Sequence, residues 1–92
     1  MEYSIPVRAL LSNAGKKPYD DLYYYEKIVA RLTQDDIWVD AIVLSDVGGL
    51  GYRAQISYLR SRDIDIITRV NPETRKKKRT TYQYALKERV AD

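Results

Sequence analysis

The stretch Gly51-Tyr52-Arg53-Ala54-Gln55-Ile56-Ser57-Tyr58-Leu59-Arg60-Ser61-Arg62-Asp63-Ile64-Asp65-Ile66-Ile67-Thr68-Arg69 changes its period part-way along. Tyr52, Ile56 and Leu59 recur at i, i+4 and i+7, which predicts a helix from Tyr52 to Arg62 with those three residues inward. Ile64, Ile66 and Thr68 then alternate with Asp65, Ile67 and Arg69, as a strand does. Asn71-Pro72-Glu73-Thr74 is a turn signal. Arg75-Lys76-Lys77-Lys78-Arg79 is an unbroken basic run, and Thr80 to Leu86 alternates again, with Thr81, Tyr82 and Tyr84 favouring a strand. A helix therefore leads into a hairpin whose connection is basic.

Working back toward the N-terminus, Gly48-Gly49-Leu50-Gly51 reads as a turn. Asp40 to Asp46 reads as a short helix with Ala41, Val43 and Leu44 partly buried. Ile37-Trp38-Val39 reads as a short strand, and the β-branched content of Ile37 to Val43 also fits a strand. Trp38 is expected in the core. Asp35-Asp36 is a break and a cap for the next element. Tyr19 to Gln34 is predicted as one helix, capped by Asp20 or Asp21. Its inner face is Leu22, Tyr25, Ile28, Val29 and Leu32, with Glu26 and Lys27 on the solvated side. Residues 1–18 form an extension in which Ile5 to Leu11 fits either a strand or a helical turn. Lys87 to Asp92 is expected to fray.

The chain is 92 residues long, enough for one domain and one modest core. It contains neither cysteine nor histidine. Disulfides, thiolate nucleophiles and an imidazole base are excluded, and no cofactor or metal is expected. The cysteine-free composition fits a reducing cytoplasm. No apolar run approaches the roughly 20 residues that span a bilayer, so no membrane partner is expected. Asp35, Asp36, Asp40 and Asp46 read as caps and a solvated face rather than a metal-dependent nuclease, so the chain is not expected to be an enzyme. Residues 1–50 carry five Lys/Arg against eight Asp/Glu, a balance of −3. Residues 51–92 carry eleven against five, a balance of +6, giving +3 for the whole. A basic half joined to an acidic half points to one face made for a polyanion.

From Lys27 to Leu86 the chain resembles the small winged helix-turn-helix proteins of bacteriophages and bacteria. The resemblance rests on Ala54-x-Ile56-x-x-Leu59-Arg60 leading into Ile66-x-Thr68-Arg69, with Tyr84-Ala85-Leu86 at the closing position. Asp63-Ile64 stands where that family usually has a glycine before the strand. The resemblance implies an α+β, mainly α domain over residues 19–92, with three helices and a C-terminal β-hairpin wing. It implies a phage-like, sequence-specific DNA-binding protein that regulates transcription and acts as a dimer on paired half-sites.

With Tyr52, Ile56 and Leu59 inward, a step of about 100° per residue puts Ala54, Ser57, Tyr58 and Ser61 on the opposite face, flanked by Arg53 and Arg60. Small side chains let such a helix approach base edges, and arginines reach guanine or phosphate. Arg62 and Arg69 extend the cationic set, and Arg75, Lys76, Lys77, Lys78 and Arg79 would follow the backbone or enter a minor groove. The helix also reads as an ordinary amphipathic surface helix, and the basic run as a solvated loop guarding an edge strand. Tyr19, Tyr23 and Tyr24 are candidates for a protein or homodimer interface, because consecutive tyrosines cannot all face one core. Tyr82 and Tyr84 share a strand face and are expected to pack in the core. A protein-binding winged helix and an RNA-binding one remain alternatives to double-stranded DNA.

Overall fold

The computed structural model describes residues 8–10, 18–34, 36–74 and 80–90. It is a small α+β domain in which helices pack on one face of a three-stranded antiparallel sheet. In chain order, α1 is Tyr24–Leu32, β1 is Val39–Asp40, α2 is Ala41–Gly48 and α3 is Tyr52–Ser61. β2 is Ile66–Val70 and β3 is Tyr82–Leu86. Short 3-10 turns stand at Tyr19–Asp21 and Lys87–Arg89. Among the described residues no helix is long and apolar enough to cross a membrane.

The predicted helix from Tyr19 to Gln34 is broken at its start. Asp20 and Asp21 lie in the separate 3-10 turn, closed by the Asp21 N–H donating to the Pro18 carbonyl at 2.9 Å. Neither caps α1. Glu26 does so instead: its Oε1 accepts from the Tyr23 backbone N–H at 2.9 Å. That bond explains why Glu26, expected in solvent, is only 3% exposed. Leu22, Ile28, Val29 and Leu32 are buried as expected, with Tyr25 packed beside them.

α1 packs on both α2 and α3. Gly48 permits the first contact, since a Cβ there would lie 2.7 Å from Ile28 Cδ1. Gly49, with φ of +77°, then turns the chain toward α3. The core joins Ile28 and Leu32 of α1, Leu44 of α2, Ile56 and Leu59 of α3, and Val39, Ile66 and Leu86 of the sheet.

The α3 end is a tight reversal. Asp63 adopts φ of +66°, the Asp63 N–H donates to the Arg60 carbonyl at 3.2 Å, and the Ile64 N–H donates to the Leu59 carbonyl at 3.1 Å. This paired bonding, with Ile64 and Leu59 both buried, is the Schellman arrangement. Asp63 thus takes the left-handed position that glycine usually fills.

The strand order is β1-β3-β2. Val39 opposes Tyr84 and Asp40 opposes Gln83, while Ile66 to Val70 opposes Leu86 to Tyr82. The strand expected at Ile37–Val39 is displaced to Val39–Asp40, because pairing with β3 fixes it there. Trp38 is half-buried and lies outside the core cluster, contrary to expectation. Lys87–Arg89 does not fray. The Arg89 Nη1 donates to the Leu32 carbonyl at 2.6 Å and to the Asp36 carbonyl at 3.3 Å, tying the C-terminal turn to the end of α1.

Candidate nucleic-acid interface

Arg53, Ala54, Ser57, Tyr58, Arg60 and Ser61 are all exposed on α3, as the helical spacing predicts. The two arginines stand on the same side of that face, toward the sheet. Arg60 donates from Nε to the Ile66 carbonyl at 3.0 Å and from Nη2 to Thr68 Oγ1 at 3.2 Å. The Arg53 guanidinium lies 5.9 Å from the Tyr52 ring centre, and its Nε donates to the Tyr52 hydroxyl at 3.4 Å. Tyr52 in turn meets Tyr84 edge-on at 6.2 Å. Burial, then the neighbouring Tyr52, pushes the Tyr84 phenol above its ordinary value.

The other side of α3 is aromatic. Tyr58 tilts against Tyr25 at 5.0 Å, and Tyr25 stacks on Tyr23 at 5.6 Å. Ser61 turns its hydroxyl inward, donating to the Tyr58 carbonyl at 2.6 Å. Arg62, just past the helix, borders a pocket of about 400 Å³ that Tyr25, Tyr58 and Leu59 also line. The small-residue strip of Ala54, Ser57 and Ser61 therefore runs between a cationic edge and an aromatic one.

Arg69 does not join this face. Neighbouring strand residues point to opposite sides of a sheet. Thr68 meets Arg60 of α3, so Arg69 stands on the outer side. There its guanidinium lies 4.3 Å from the Trp38 ring centre, and its Nε donates to Gln83 Oε1 at 2.8 Å. Gln83 Nε2 donates onward to Asp40 Oδ1 at 2.8 Å, which also accepts from Asn71 Nδ2 at 3.3 Å. Asp40 occupies the cap position of α2, yet its side chain makes no cap bond there and serves the sheet instead. Asn71, Gln83 and the Trp38–Arg69 stack were not foreseen. Strand parity, which separates Thr68 from Arg69, was the available signal.

The turn at Asn71–Thr74 forms as expected. Asn71 Oδ1 accepts from the Glu73 N–H at 2.9 Å, and the Asn71 N–H donates to the Thr81 carbonyl at 2.9 Å. The Thr81 N–H donates to Thr74 Oγ1 at 3.0 Å. These bonds close the base of the hairpin. Arg75, Lys76, Lys77, Lys78 and Arg79 lie outside the described residues.

Tyr23 and Tyr24 are 62% and 54% exposed, and the Tyr19 side chain lies outside the described residues. Tyr24 faces Gly49, whose neighbour Leu50 is fully exposed. Tyr82 is exposed rather than packed, whereas Tyr84 packs on the core. Comparison with protein-family models, with curated proteins and with solved structures found no match.

Proposed function

We propose that the chain is a winged helix-turn-helix protein that binds double-stranded DNA in a sequence-specific way and acts as a regulator, not an enzyme. The element order supports this reading, with β1 between α1 and α2, and α3 followed by a hairpin. The observation that carries it is the outer face of α3. Ala54, Ser57 and Ser61 are small and exposed, and Arg53 and Arg60 edge them on the side of the hairpin. That hairpin carries the five-residue basic run. Small side chains permit close approach to base edges, arginines reach guanine or phosphate, and the basic segment adds backbone contacts.

A titration with duplex DNA across a salt series tests the reading. Binding should weaken steeply as salt rises. Replacing Lys76, Lys77 and Lys78 together by alanine should weaken all sequences alike and flatten the slope by up to about three. Arg53→Ala should instead blur sequence preference. Absent binding, or binding indifferent to salt, would refute the proposal, and preferential competition by duplex RNA would reassign it to RNA.

A protein-binding winged helix is the second reading. Tyr24 beside Gly49, with Leu50 fully exposed next to it, is the observation that favours it. The same exposed surface suits a homodimer.

A further inference from the structure

The outer face of the sheet carries a side-chain row that the function proposed above does not use. Asp40, Gln83 and Arg69 stand side by side across β1, β3 and β2, in register. Gln83 bridges the row, accepting from Arg69 Nε at 2.8 Å and donating to Asp40 Oδ1 at 2.8 Å. The Arg69 guanidinium is held from another direction by Trp38, 4.3 Å away. Ala85, the next residue of β3 on this face, is fully buried.

Two restraints thus fix one arginine that is nevertheless exposed. Its plane is set by the indole and its Nε is occupied. Among the described residues, neither Nη atom meets an acceptor and no carboxylate pairs with the group. An exposed arginine ordinarily samples many rotamers and loses that freedom on binding. Here much of that loss is met by the fold. What remains is a forward-facing pair of N–H donors, matched to two oxygens of an oxyanion. Arg60 makes a contrast: its Nε and Nη2 both serve β2.

We propose that Arg69, set by Trp38 and Gln83, is a second phosphate-binding site on the sheet face turned away from α3, so that nucleic acid engages both sides of the hairpin. This rests on the nucleic-acid reading above. Phosphate is favoured over protein carboxylate because Arg69 lies on the strand that leads into Arg75 to Arg79, and those five cations draw a polyanion to this end of the molecule. Gln83 acts as a positioning residue, through Arg69.

Trp38 is the one tryptophan of the chain and reports on its own stacking partner. The test monitors labelled duplex DNA by anisotropy and Trp38 by emission in the same titration. Wild type should show both signals with one midpoint. Arg69→Gln should weaken binding roughly tenfold and lower the salt slope by about one. Arg69→Lys should keep the slope yet lose several-fold in affinity, since charge is retained without the fork. Gln83→Leu should behave like Arg69→Lys, with thermal melting checking each fold. DNA binding that Arg69→Gln leaves unchanged in affinity and slope overturns the site and spares the proposed function. No anisotropy change for wild type overturns both. A Trp38 response to an acidic peptide but not to DNA overturns the site in favour of a protein partner.

Discussion

Asp63 holds a conformation that costs an L-residue with a Cβ roughly 1 kcal/mol, and it does so to close α3 against Ile64. Glycine at that position keeps both reversal bonds without the strain. Asp63→Gly should therefore raise stability by up to about 0.5 kcal/mol, read as a higher urea midpoint at constant slope, after the entropy of the freer unfolded chain is set against it. At this scale the sequence was informative where a residue's neighbours lie on its own helix. Tyr52, Ile56 and Leu59 are buried as their spacing requires. It misled at Glu26, whose carboxylate turns back to the Tyr23 N–H, and at Trp38, whose partner Arg69 is brought near only when β3 lies between β1 and β2.

Among the elements, the least expected is the C-terminal turn at Lys87–Arg89. The last carbonyls of a helix lack donors and carry partial negative charge. Arg89 supplies a cationic donor to the Leu32 carbonyl, so a residue near the chain end secures the end of α1. Arg89→Ala should cost about 1–2 kcal/mol in equilibrium unfolding, and Arg89→Lys less. A loss within error would mean that water replaces the guanidinium. Helix α3 and strands β2 and β3 were legible because each repeats its period over several turns or pairs. β1 is two residues long, and its position is set by pairing with a strand remote in sequence. The break before α1 was hidden because Leu22 and Tyr25 continue the helical spacing of Ile28, Val29 and Leu32 across it.

For the whole molecule, burial raises the phenols of Tyr25 and Tyr84 above their usual value near 10. A raised acid keeps its proton longer in the folded state than in the unfolded one. The stabilisation it gives is complete below about pH 10 and is lost as pH climbs through the folded value. Stability should thus fall above about pH 10, and the double variant Tyr25→Phe, Tyr84→Phe should soften that fall. Parallel curves for the two proteins would show that other groups govern alkaline unfolding. At this scale the charge split of the sequence foretold one basic side. The structure divides it, with Arg53 and Arg60 facing one way and Arg69 the other.

The latch at the foot of the hairpin has a consequence for how such a protein can change. Asn71, Thr74 and Thr81 close the loop before the basic run begins, through bonds that involve none of its side chains. The run is then a cassette whose letters can be rewritten while its frame stays shut. Exchanging Arg75 to Arg79 for a glycine-serine segment of equal length should shift the melting midpoint little, and doubling its length should cost only about 0.6 kcal/mol. Affinity for a polyanion would drop in both cases. Recognition and folding can in this way drift apart, each open to selection without the consent of the other.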